Sequence, residues 1–224
     1  MAALKIKDSV IKTVIFDFDG TLAKLNIDFA RMRQEVTRII SSYGIEPDAI
    51  QDGFILETIQ AAASLMKNDS AKKAQEFRQE SMNFIENMEM QAAQKGELFP
   101  STRELLSFLT SNDISSAVVS RNCQKAIFTV FPDILSFCEA VICRDAVEKV
   151  KPDPLHLRAA LEKTSGNAAS ALMVGDHPLD IEAGRHAGTF TAGVLTGNFQ
   201  AADFQKAKAD IILPRASSLM NMIV

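Results

Sequence analysis

Residues 12–21 read Lys-Thr-Val-Ile-Phe-Asp-Phe-Asp-Gly-Thr, a short β-branched, apolar run that stops at Asp17. Without polar alternation, 12–16 has the pattern of a strand buried on both faces, as in a parallel sheet. The same pattern returns at 116–120 (SAVVS), 140–143 (AVIC), 171–174 (ALMV), 191–195 (TAGVL) and 210–213 (DIIL). Helical patterns lie between. Ser101 with Glu104 three residues on predicts a capping box ahead of Leu105, Leu106, Phe108 and Leu109. Asp153 before Pro154 predicts an N-cap with proline at the first helical position, opening a helix over 155–163, and the pattern over 179–187 stops at Gly188. Alternating strands and helices predict an α/β fold, a Rossmann-like parallel sheet with helices on both faces.

The stretch 23–96 breaks this rhythm. It holds no convincing strand but three long patterns, at 28–43, 47–66 and 70–95, with Phe29, Met32, Val36, Ile39 and Ile40 at helical spacing in the first. An all-helical insert over 23–96 is therefore expected to interrupt a core made of 1–22 and 97–224.

With 224 residues, 47% hydrophobic and 23% charged, the chain is long enough for one large core and a smaller one and has no disorder profile. A net charge of -4 argues against nucleic acid as a partner, since a phosphate backbone calls for clustered Lys and Arg. The apolar run ending at Phe16 is too short for a signal-peptide core, and no stretch reaches the ~18 apolar residues of a membrane span. Cys123, Cys138 and Cys143 are an odd number with no CxxC pair. Reduced thiols in a cytoplasmic protein are the expectation.

Asp17-Phe18-Asp19-Gly20-Thr21 follows the first buried strand directly, and parallel sheets bind ligands beyond their carboxyl ends. A carboxylate there is a competent nucleophile toward phosphorus. A second carboxyl two residues on can protonate a leaving alkoxide and then deprotonate water. Gly20 allows the sharp turn that brings both to one pocket.

The DFDGT segment resembles the first motif of the haloacid dehalogenase superfamily, and the other three follow in order. Ser120, ending the strand VVS, resembles the second motif, which holds a phosphate oxygen with the N–H groups around Arg121 and Asn122. Lys151 in KPDP resembles the third, a cation beside nucleophile and phosphate. Gly175-Asp176-His177-Pro178-Leu179-Asp180 resembles the acidic fourth. The resemblance implies Asp17 as nucleophile and Asp19 as acid and base. It implies Mg²⁺ held by Asp17, the Asp19 carbonyl and Asp176, with Asp180 supporting them from behind. Clustered carboxylates repel one another, a divalent cation relieves this, and oxygen donors suit Mg²⁺ rather than zinc.

The insert resembles the helical cap of the phosphoglycolate phosphatase-like branch, which implies a phosphatase acting on a small phosphorylated metabolite. Arg121 stands where that branch commonly has Asn. His177 is open to two readings, a proton shuttle or, more commonly, an exposed loop histidine; His156 and His186 fall on predicted helices as structural or solvated groups. A phosphosugar mutase would share all four motifs. A dehalogenase would lack Asp19, and a phospho-accepting receiver would lack so long an insert.

Overall fold

The computed structural model describes residues 3–50 and 53–223. The chain folds into two compact units, Asn26–Ala92 and a larger one made of Met1–Leu25 with Ala93–Val224.

The smaller unit is built on α1 (Phe29–Ser42), α2 (Ile55–Lys67) and α3 (Ala71–Ala93). Asp28 caps α1, its side chain accepting from Arg31 N at 2.9 Å. Met32, Val36, Ile39 and Ile40 form the buried stripe, whereas Phe29, expected in it, is 55% exposed at the helix start. The single pattern expected over 47–66 is broken. A 3₁₀ turn occupies Pro47–Ala49, α2 begins only at Ile55, and 51–52 lie outside the described residues. Gly53 stands at this break, where its carbonyl accepts from Arg33 Nη1 at 2.8 Å.

In the larger unit, β1 (Lys5–Ile6) and β2 (Ser9–Val10) form an antiparallel hairpin ahead of β3 (Thr13–Phe16). β4 (Ala23–Lys24) pairs antiparallel with β5 (Glu97–Leu98), joining the chain before the helical insert to the chain after it. Neither pair was expected, because two-residue strands carry no readable periodicity. Then come α4 (Thr102–Ser111), β6 (Ser115–Ser120), α5 (Gln124–Val130), β7 (Ala140–Cys143), α6 (Leu155–Lys163) and β8 (Ala171–Gly175). α7 (Pro178–Ala187), β9 (Phe190–Val194), α8 (Ala201–Lys206) and β10 (Ile211–Leu213) complete the unit.

Six strands form one parallel sheet in the order β10-β9-β8-β3-β6-β7. All six expected strands are present, with ends shifted by at most one residue, but β10, expected to be buried on both faces, is a half-buried edge strand. Ile15, Ala117, Val119 and Met173 meet Leu157, Ala160 and Ala183 in the core beneath it, all 0% exposed. α7 ends at Gly188 in the left-handed conformation, φ 81°, as its sequence position predicts. The capping box at Ser101 does not form. Ser101 has φ 67° and makes no side-chain bond to the helix. α6 spans the expected Leu155–Lys163 but has Pro154 at its N-cap rather than Asp153, whose Oδ1 still accepts from Leu155 N at 2.9 Å. Among the described residues, no helix is long and apolar enough to cross a membrane.

Strand order reverses at β3. The chain leaves it for β6 and β7 on one side, then returns to β8, β9 and β10 on the other. A crevice at such a switch point is where open parallel sheets bind ligands.

Candidate active site

Register decides what meets at that crevice. Phe16 of β3 pairs with Val118 of β6 and Val174 of β8, so Phe18, Ser120 and Asp176, each two residues further on, come level at the carboxyl ends. Asp17 continues β3 by donating its N–H to Val174 O at 2.8 Å. Three segments far apart in sequence thus deliver their polar residues to one place.

Asp17 is 9% exposed, and its Oδ1 accepts from Lys151 Nζ at 2.5 Å. The same ammonium donates to Asp180 Oδ1 at 2.7 Å, and Lys151 is 1% exposed. Burial disfavours the charge on Lys151, yet Asp17 and Asp180 outweigh it and hold its pKa above the ordinary lysine value. Asp180 Oδ2 accepts the N–H of His177 at 3.1 Å, so both its oxygens are engaged within the protein.

Oxygens of Asp17, Asp176 and Asp180 all lie within 4.8 Å of one another. Burial, then the like charges of Asp17, Asp180 and Asp19, push Asp176 up to about 9. Burial also raises Asp17, to about 7, against the opposing pull of Lys151. One ammonium is too little cation for three gathered carboxylates. The donor set is all oxygen with no thiolate or imidazole, which fits a hard divalent ion such as Mg²⁺.

Asp19 stands outside this triplet. Its Oδ1 accepts from Leu25 N at 2.9 Å. Ser120 is 2% exposed at the end of β6, and its Oγ accepts the N–H of Asn122 at 3.2 Å, so an amide expected to face phosphate turns back onto the hydroxyl. The Arg121 side chain donates to the Lys151 carbonyl, and Arg144 Nη1 to the Arg121 carbonyl at 3.2 Å. Arg121 therefore ties the second motif to the third through its side chain.

His156, read from the sequence as structural or solvated, is structural. It is 0% exposed; its Nδ1 accepts from Lys151 N at 3.2 Å, and its Nε2 lies 2.9 Å from Ile142 O. Those partners require the proton on Nε2. Burial, reinforced by the charge of Lys151, lowers its pKa to about 4, so the ring stays neutral. His177 caps α7 through Nδ1, accepting from Leu179 N at 3.0 Å, and stacks edge-on against Phe199 with ring centroids 4.3 Å apart. It is a half-buried cap, not an exposed loop residue. The thiols Cys123, Cys138 and Cys143 are all buried and form no disulfide, and burial pushes Cys138 up to about 12.

Residues 14–194 match the family model described as haloacid dehalogenase-like hydrolase. A Pseudomonas putida protein named N-acetylmuramic acid 6-phosphate phosphatase is 29% identical over 95% of this chain and 96% of its own. A Vibrio cholerae phosphoglycolate phosphatase is 26% identical over 96% and 97%. Among solved structures, a Bacteroides fragilis chain described as a haloacid dehalogenase-like hydrolase superposes with a TM-score of 0.69 at 23% identity, covering 93% of this chain and 99% of that one. With its four acidic, hydroxyl and lysine segments gathered at the carboxyl end of β3 and the family model spanning most of its length, this chain belongs to the haloacid dehalogenase-like hydrolases.

Proposed function

We propose that this protein is a Mg²⁺-dependent phosphatase that hydrolyses a phosphomonoester of a small organic acid through an aspartyl-phosphate on Asp17. The observation that carries the reading is Asp17 itself. It ends the central strand, bonded at 2.5 Å to a buried lysine and within 4.8 Å of Asp176. The relatives' names supply the substrate class, since N-acetylmuramic acid 6-phosphate and phosphoglycolate are both phosphomonoesters of organic acids.

Asp17 attacks phosphorus, and the bond from phosphorus to the ester oxygen breaks. The carboxyl of Asp19 gives its proton to the departing alkoxide, then takes one from the water that attacks the acyl phosphate. Inorganic phosphate leaves and Asp17 is regenerated. Lys151 holds Asp17 in place and adds positive charge beside the phosphoryl oxygens, with the Ser120 hydroxyl as a further donor. Asp17, the Asp19 carbonyl and Asp176 would hold Mg²⁺, which when bound neutralises charge on phosphate and nucleophile. In this reading the helical insert supplies substrate selectivity.

Phosphate release from phosphoglycolate, N-acetylmuramic acid 6-phosphate and glucose 6-phosphate, with and without Mg²⁺, tests the proposal. The two acids should be preferred, by Mg²⁺-dependent turnover. Isomerised sugar phosphate without phosphate release would instead mark a mutase. Stable protein phosphorylation without turnover would mark a receiver.

A further inference from the structure

A fifth segment reaches the acidic centre from outside the four motifs. Beyond β9 the chain continues through Leu195-Thr196-Gly197. Thr196 Oγ1 donates to the Gly20 carbonyl at 2.5 Å, across 176 residues of chain. A Cβ built on Gly197 would lie 1.9 Å from Asp176 Oδ2, and one on Gly20 would lie 2.2 Å from the same atom. The Asp176 carboxylate therefore occupies a slot walled by two glycines, and the Thr196–Gly20 bond clasps the walls together. Thr21 Oγ1, 3.5 Å from Asp176 Oδ1, borders the slot as well.

The two glycines are required for different reasons. Gly20 has φ 84°, a left-handed conformation that excludes most side chains by itself. Gly197 does not have a left-handed φ, so its backbone would accept alanine and only the Asp176 carboxylate stands in the way. Gly20 is also held at its N–H, which donates to Ala23 O at 2.7 Å. With its carbonyl fixed by Thr196, Gly20 is held through both of its flanking peptides, the first of which carries the Asp19 carbonyl.

We infer that Thr196 and Gly197 are positioning residues of the metal centre, which keep the Asp176 carboxylate and the Asp19 carbonyl aimed at one divalent cation. The inference rests on the reading of Asp17, Asp19 and Asp176 as Mg²⁺ ligands. A hydroxyl-to-carbonyl bond linking the loop after β9 to the turn after β3 spans the β8 end that carries Asp176.

Calorimetric titration with Mg²⁺, alongside thermal melts in EDTA, tests it on the intact chain. Thr196→Val keeps the shape and removes the donor. Thr196→Val should weaken Mg²⁺ binding about three- to tenfold, the worth of one hydrogen bond, with its EDTA melt close to wild type. Thr196→Ser should restore wild-type affinity within about twofold, because it restores the hydroxyl. Gly197→Ala should weaken Mg²⁺ by about tenfold or more, since it displaces a ligand outright. If Gly197→Ala does not fold, the Thr196 pair decides alone. Wild-type affinity in Thr196→Val would overturn the inference while leaving the metal reading intact. A wild-type protein that binds no Mg²⁺ at millimolar concentration would overturn both.

Discussion

The ammonium of Lys151 joins Asp17 to Asp180, at 2.5 and 2.7 Å, across 134 and 29 residues of chain. It is the only cation that the described ion pairs place in the carboxylate cluster. Lys151→Met, close in volume but uncharged, should lower kcat on p-nitrophenyl phosphate by about 10²-fold or more. It leaves Asp17 and Asp180 buried without their counter-charge, so the melting temperature should fall as well. Steady-state kinetics and a thermal melt check both, and retention of a tenth of wild-type turnover would remove Lys151 from the reaction.

Asp17→Asn should abolish turnover, because an amide is a poor nucleophile and a weaker metal ligand. Asp19→Asn should separate substrates by leaving group. Alkyl phosphates need protonation and should lose activity severely, whereas nitrophenyl phosphate, with its good leaving group, should still phosphorylate Asp17. Single-turnover release of the alcohol or nitrophenol from the two substrate types reads the difference. Equal losses on both would take Asp19 out of the acid role.

Metal-free protein should lose stability as pH rises from about 5 to 9. Asp17 and Asp176 titrate near 3.8 when unfolded but are raised to about 7 and about 9 in the fold, chiefly by burial. Between those limits the native state binds more protons than the unfolded state, so its advantage is complete below the unfolded pKa and drains away as pH climbs through the folded values. Mg²⁺ needs the same carboxylates deprotonated, so the melting shift it produces should grow over that range. Melts in EDTA and in Mg²⁺ at matched pH test this; a metal-independent pH profile would contradict it.

His156→Leu should destabilise the protein by about 1–3 kcal/mol, the cost of leaving a buried donor and acceptor unpaired. Those groups are Lys151 N and Ile142 O. Because the first of them fixes the Lys151 backbone, kcat should fall more than KM rises. Chemical denaturation with parallel kinetics checks the pair of effects. His177→Ala, which removes a helix cap, should cost about 1 kcal/mol of stability.

What the sequence determined by itself is the sheet and the chemistry at its edge. Runs such as Thr13–Phe16 and Ala171–Gly175 are legible because a strand buried on both faces must be apolar throughout, whatever packs on it. Asp17 was legible because it directly follows such a strand, whereas Ser120, Lys151 and Asp176 were singled out by their resemblance to the family's motifs in order. The tertiary structure alone decided the rest. The two-residue ladder of β4 and β5 is too short to show a period. Ser101 holds the residue types of a capping box, but its φ of 67° turns the hydroxyl away from the helix. His156 reads as any helical histidine until β7 and the Lys151 loop close around it. Gly197 is an ordinary loop glycine in one dimension. Only when β9 lies beside β8, with Gly193 level with Gly175, does the chain beyond it meet the Asp176 carboxylate, because steric exclusion depends on what stands opposite rather than on what comes next.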